Sequence, residues 1–340
     1  MRQALKENVD YHAAMEGVIL LAKKQGAVAE GLSFVRTELE KQVSAGDAVF
    51  NYRELVYPLI EPDELQRDLE GFCEVRPDLW QTWSALSLQS LDMEDFVGAQ
   101  RAVDELSKRF PLLPRTYYER AQVAQRAGRI EDEARELEKA MSLSPAWGVV
   151  VRQLADAYER LERSDEALEL LERQRVALPS EPGNHGMAGR LWEMKGEREK
   201  AFQAFVQSVK ANVSYSWGWR QLAYFGKEWQ REGEVVELLQ EMHQAYSYNS
   251  KWWMTYYENL YELGEIQKAD EVLKNARERF PFDPEIMDFH VNRLVEIGKL
   301  DEAGEACEFK GWKGTLPVAL QGRKSWVCLL YTSPSPRDRG

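Results

Sequence analysis

The sequence is poor in the residues that build chemistry. Its 340 residues include three cysteines, at 73, 307 and 328, and four histidines, at 12, 185, 243 and 290. Neither set has the short, regular spacing of a metal site, and three separated cysteines make no disulfide framework. There is no basic block either. Against 57 acidic residues stand only 44 Lys and Arg, for a net charge of −13. Nucleic-acid affinity comes largely from neutralised phosphates, so this balance speaks against a nucleic-acid partner. Long apolar runs are missing: the run at 17–22 is about a third of the ~20 residues a bilayer crossing needs. It has no secretory cleavage context. The glycines at 183, 186 and 189 follow no strand pattern and precede no Lys-Ser/Thr pair, so they make no phosphate loop. Ser, His and Asp form no nucleophile motif. The sequence thus predicts no catalytic, metal-binding or cofactor-binding residue, no cofactor, and neither a nucleic-acid nor a membrane partner. Cytoplasm is the default location.

What is present is material for a core, with 44% hydrophobic and 11% aromatic residues, and a period. Windows of 34 residues starting at 12, 46, 80, 114, 148, 182, 216, 250 and 284 align without insertion. Position 24 of the window is Val35, Leu69, Val103, Leu137, Leu171, Phe205, Leu239, Leu273 and Cys307, all apolar. Position 4 is Met15, Val49, Trp83, Tyr117, Val151, His185, Trp219, Trp253 and Met287. Glycine recurs at position 15 (Gly26, Gly128, Gly196, Gly264, Gly298), alanine at 20 and proline at 32. Apolar residues at 4, 7, 8 and 11 make one helical stripe, and those at 20, 24 and 27 make a second. Glycine at 15 ends the first helix because it tolerates a left-handed φ. Proline at 32 ends or follows the second. Each unit is a helix–turn–helix that buries its apolar faces only against its neighbours. The pattern predicts helices near positions 2–14 and 17–30 of almost every unit.

The columns (aromatic 4, Leu 7, small 8, Gly 15, Ala 20, apolar 24, Pro 32) resemble the tetratricopeptide repeat (TPR), over about 12–310. That resemblance implies an all-α fold, an α-solenoid of stacked 34-residue hairpins forming a right-handed superhelix. Departures are local. Pro58 and Ile60 predict a short or kinked first helix in the unit at 46. Glu133 replaces the alanine of position 20 in the unit at 114. Gln230, Val235 and Met242 predict a splayed hairpin in the unit at 216.

The ends carry their own expectations. Residues 1–11 match positions 24–34, the second-helix half of a preceding repeat, so Met1 is expected to be internal to a longer protein. Residues 311–327 are expected to be irregular or to begin a further unit. The segment 328–338 resembles a translated sequencing-library adapter codon for codon, so 328–340 is expected to be a non-native tail.

With no chemistry to assign, the surface is the informative part. In the family the first helix of each repeat lines a concave groove through positions 2, 5, 9, 12 and 13, and that groove usually binds peptides. Carried over, these positions nominate Arg115, Tyr118, Arg152, Arg190, Trp217, Arg220, Tyr224, Lys227, Lys251 and Tyr261. Arginine and aromatic side chains are frequent anchors of binding energy. No unit has Lys at position 5 with Asn at position 9, so a carboxylate clamp of the chaperone-tail type is disfavoured. The expected function is a non-enzymatic interaction scaffold holding protein or peptide partners, acidic ones among them. The alternative is the repeat arm of a larger multidomain enzyme whose catalytic domain lies outside this chain. The sequence specifies neither the partner nor the oligomeric state.

Overall fold

The computed structural model describes residues 1–41, 46–307 and 321–327. Among them there is no strand, and helices follow one another along the chain. After α1 (Arg2–Glu7), the first helices of the windows are α2 (His12–Lys24), α4 (Ala48–Val56), α6 (Trp80–Asp92), α8 (Pro114–Arg126), α10 (Gly148–Arg160), α12 (Pro182–Met194), α14 (Ser216–Glu228), α16 (Ser250–Glu262) and α18 (Pro284–Glu296). Their partners are α3 (Val28–Lys41), α5 (Pro62–Val75), α7 (Phe96–Arg109), α9 (Ile130–Leu143), α11 (Ser164–Ala177), α13 (Arg198–Ala211), α15 (Glu232–Tyr246), α17 (Ile266–Arg279) and α19 (Leu300–Cys307). Apart from α4, every first helix begins at position 1 of its window, and every second helix begins at position 17. The chain divides into two compact units, Met1–Ala177 and Leu178–Gly340. In the first, α2 packs on α4, α4 on α6 and α6 on α8, besides the hairpin pairings. In the second, α14 packs on α16 and α16 on α18 in the same way.

Position 15 explains the sharp turn within each hairpin. Gly26, Gly128, Gly196, Gly264 and Gly298 all have φ between 69° and 81°. Four windows place a non-glycine there, and three of those residues, Glu94, Glu162 and Gln230, are left-handed as well, with φ of 60°, 61° and 58°. The amide of the next residue then donates to the carbonyl five residues back, as in Arg129 to Ala124 (2.9 Å), Arg163 to Tyr158 (2.8 Å) and Arg231 to Gly226 (2.7 Å). This six-to-one bond satisfies a helix-end carbonyl that would otherwise lack a partner. The window at 46 departs from the rule. Its position 15 is Ile60, β-branched and strongly disfavoured at positive φ, and α4 ends at Val56, ahead of Pro58.

Small residues let the two helices of a hairpin close. A Cβ added at Gly189 would fall 2.6 Å from the Phe205 ring, and one at Gly31 2.4 Å from Ala22 Cβ. The position-24 side chains fill the seam: Val35, Leu137 and Phe205 are fully buried, and Leu171 and Leu273 nearly so. Glu133, which replaces the position-20 alanine, is also fully buried. Two hydrogen bonds of 2.7 Å from Arg160 and one of 3.0 Å from Gln125 make that burial tolerable.

The turn between hairpins is held by position 4. Trp83 Nε1 donates to the Pro77 carbonyl, Tyr117 Oη to that of Pro111, Trp219 Nε1 to that of Val213 and Trp253 Nε1 to that of Ser247, over 2.8–3.3 Å. Each acceptor lies six residues earlier, at position 32 of the preceding window. In these four windows the column holds an apolar ring with one polar edge. His185 fits the same pattern: it is buried, and its Nε2 lies 3.1 Å from the Pro179 carbonyl oxygen. Cys73 and Cys307 are buried free thiols in the packing, and burial pushes the Cys73 thiol up to about 12. Residues 328–340 and 308–320 lie outside the described residues, so the tail expected at 328–340 and most of the segment 311–327 are not described; 321–327 is helical.

Candidate functional site

The candidate site forms where three successive first helices of the second unit, α14, α16 and α18, present their solvent faces. On α14 the core face takes Trp219, Leu222, Ala223 and Gly226. The 3.6-residue period then turns positions 220, 224 and 227 together to one solvent-facing side. Arg220, Tyr224 and Lys227 are exposed there, Tyr224 by 58%. On α16 the core takes Trp252, Trp253, Tyr256 and Leu260, leaving Glu258, Tyr261 and Glu262 toward solvent. α18 contributes Phe289, Asn292 and Glu296. Between them lies a cleft of about 660 Å³, lined also by Thr255, Tyr257 and Asn259.

The floor is aromatic and built in. Tyr257 is buried edge-on to Phe289, with ring centroids 5.7 Å apart, and lies 5.9 Å from the Tyr261 ring. Burial, with Glu296 next, pushes the Tyr257 phenol up to about 12, so it stays neutral. The Tyr261 hydroxyl donates to Glu296 at 3.3 Å, and the Arg293 guanidinium lies 5.5 Å from the Tyr261 ring centroid. Asn259 is buried, its amide donating to the Thr255 carbonyl at 2.8 Å.

Charge is segregated across the cleft. Arg220 and Lys227 stand on α14 with no ion pair among the described residues. Most neighbouring arginines are engaged. Arg231 pairs with Glu234 and Glu199, and Arg293 is bidentate to Asp270. Facing the two cations are Glu258 and Glu262 of α16 and Glu296 of α18. Partial burial raises the Glu258 carboxyl above its usual range, with Glu285 and Glu262 adding to the rise and Arg220 opposing it.

The structure thus brings four of the ten sequence candidates together: Arg220, Tyr224, Lys227 and Tyr261. Arg190, Trp217 and Lys251 belong to the same unit but do not line the cleft. Trp217 is half-buried, 6.0 Å from both the Phe205 and Tyr215 rings, and its edge lies where a side chain at Gly186 would go. Arg115, Tyr118 and Arg152 lie in the first unit. Arg115 is committed locally, with Nε 2.7 Å from Glu119 and its guanidinium within 6 Å of the Trp80 and Tyr118 rings. The aromatic density at 215–261 is chiefly core: Trp219 packs on Trp252, Trp252 on Tyr256, and Phe225 between Phe205 and Trp229. The sequence reading passed over Glu258, Asn292, Glu262 and Glu296. They occupy positions 9 and 13 of the next two windows, so the same columns could have found them.

Among the described residues no group of His, Cys, Asp and Glu is placed to hold a metal ion, and no helix is long and apolar enough to cross a membrane.

No family model and no curated protein sequence matches the chain. Several solved structures are similar in fold. One is MamA, at 17% identity over 45% of this chain and 89% of that one, with a TM-score of 0.40. Another is YrrB, titled a TPR protein with an unusual peptide-binding site, at 14% identity over 53% and 90%, with a TM-score of 0.39. A third is PilF of Pseudomonas aeruginosa, at 13% identity over 64% and 96%, with a TM-score of 0.45. These likenesses are distant, and the assignment stands on the chain's own geometry. Hairpins in phase with a 34-residue period, left-handed turns at position 15 and small residues at the helix crossings make this an all-α helical-repeat fold. Its repeat resembles the tetratricopeptide type.

Proposed function

We propose that the protein is a non-enzymatic interaction scaffold that holds a peptide segment of a protein partner in the cleft of α14, α16 and α18. One observation carries this reading. Arg220, Tyr224 and Lys227 project from one face of α14 as an exposed aromatic between two cations without ion pairs, above a floor of Tyr257 and Phe289. A fold that spends most of its arginines on internal pairs gains nothing in stability from leaving these two unspent. They are arranged instead for a ligand with acidic character, since charge complementarity raises on-rates and fixes orientation. The size of the cleft suits a few peptide side chains, and the aromatic floor supplies the apolar anchor that concentrates binding energy.

The test begins with a displayed library of random 12-residue peptides selected on the intact chain. The tightest peptide is then titrated against wild type and against Arg220→Ala/Lys227→Ala. The double variant should bind at least about tenfold more weakly and show a flatter salt dependence. Its melting temperature should be unchanged, because both side chains are exposed. A peptide bound equally well by both proteins would refute the assignment to this cleft.

A further inference from the structure

The cleft has two walls of opposite sign, and nothing in a general scaffold role requires that. The α14 wall carries Arg220 and Lys227; the α16 and α18 walls carry Glu258, Glu262 and Glu296. Of these three, Glu296 alone makes a hydrogen bond or ion pair among the described residues, with Arg293 Nη1 at 3.3 Å and the Tyr261 hydroxyl at 3.3 Å. Glu258 and Glu262, one turn apart on α16, have no ion pair among the described residues. Between the walls lie the rings of Tyr224, Tyr257, Tyr261 and Phe289.

Resting on the peptide-binding reading, we infer that the preferred ligand is a mixed-charge peptide. It sets an acidic side chain against Arg220 and Lys227 and a basic one, best an arginine, against Glu258 and Glu262. An acidic ligand alone satisfies the α14 wall but brings negative charge toward three carboxylates. A basic ligand alone does the reverse. Only a segment with both signs is attracted by both walls, so the cleft rejects single-sign peptides as well as accepting the mixed one. Tyr257 and Tyr261 favour arginine over lysine on the acidic side, because a planar guanidinium stacks on a ring while its edge pairs with a carboxylate. The spacing also follows from the packing. α14 and α16 are in contact, and packed helices lie about 8–10 Å apart, which is about three residues of extended chain. The two charges should therefore stand about three residues apart.

Fluorescence anisotropy with four labelled 12-residue peptides tests this: acidic only, arginine only, and mixed in each order with the pair three residues apart. All share one Tyr/Leu background. One mixed order should bind at least tenfold tighter than both single-sign peptides. Glu258→Gln/Glu262→Gln should remove most of the contribution of the arginine and bring the acidic peptide close to the mixed one. Arg220→Ala/Lys227→Ala should remove the contribution of the acidic residue and leave that of the arginine. An acidic peptide binding wild type as well as either mixed order would overturn the mixed-charge inference while leaving the cleft as the site. If Tyr224→Ala also left every affinity unchanged, the peptide-binding reading itself would fall.

Discussion

Glu94, Glu162 and Gln230 sit where five other windows have glycine, and they take the same left-handed backbone. A side chain with a Cβ resists that region by roughly 1–2 kcal/mol, and part of this is offset because glycine loses more chain entropy on folding. Glu162→Gly and Gln230→Gly should each therefore stabilise the protein by about 0.5–1 kcal/mol, read as a shift of the urea midpoint at constant slope. Loss of stability in either variant would mean that the glutamate or glutamine side chain has a role the backbone does not reveal. The same column shows how much was legible at this scale. Glycine at position 15 announced the turn in the sequence, but that a glutamate could occupy it followed only from the period around it. The polar edge used at position 4 in five windows was hidden for a related reason. Its acceptor is a backbone carbonyl, and Trp, Tyr and His share nothing in hydropathy that would betray a hydrogen bond.

At the scale of the element, each hairpin is stable only with its neighbours, since both helices bury a stripe on the next pair. Leu171 on α11 and Leu273 on α17 occupy the same column, in different compact units, and both are almost fully buried. Leu→Ala at either should cost about 2–5 kcal/mol. Hydrogen exchange followed by mass spectrometry should show the loss locally. For Leu273→Ala, the amides of α16, α17 and α18 should exchange faster while those of α2 to α8 stay as in wild type. Equal acceleration along the whole chain would contradict nearest-neighbour stacking. Helix positions were the most legible feature of the sequence, because nine windows in phase average out local exceptions such as Pro58. The cleft was less legible. Columns identify which residues share a helix face, but not which of them are consumed by packing. Trp217 and Tyr224, at positions 2 and 9, both belong to the groove columns of α14, yet Trp217 packs on Phe205 and Tyr215 in space that a Cβ at Gly186 would fill.

At the scale of the molecule, a chain of net charge −13 discourages nonspecific anions by long-range repulsion and leaves its two α14 cations as a local exception. The proposed binding surface on the first helices α14, α16 and α18 of the second unit can be tested directly. A mixed-charge 12-residue peptide carrying a central benzophenone is photolysed with the intact chain, and the adducts are mapped by mass spectrometry. The account predicts adducts on α14, α16 and α18, lost when excess unlabelled peptide is present and reduced by Arg220→Ala/Lys227→Ala. Competable adducts concentrated on the second helices α15 and α17 would contradict it.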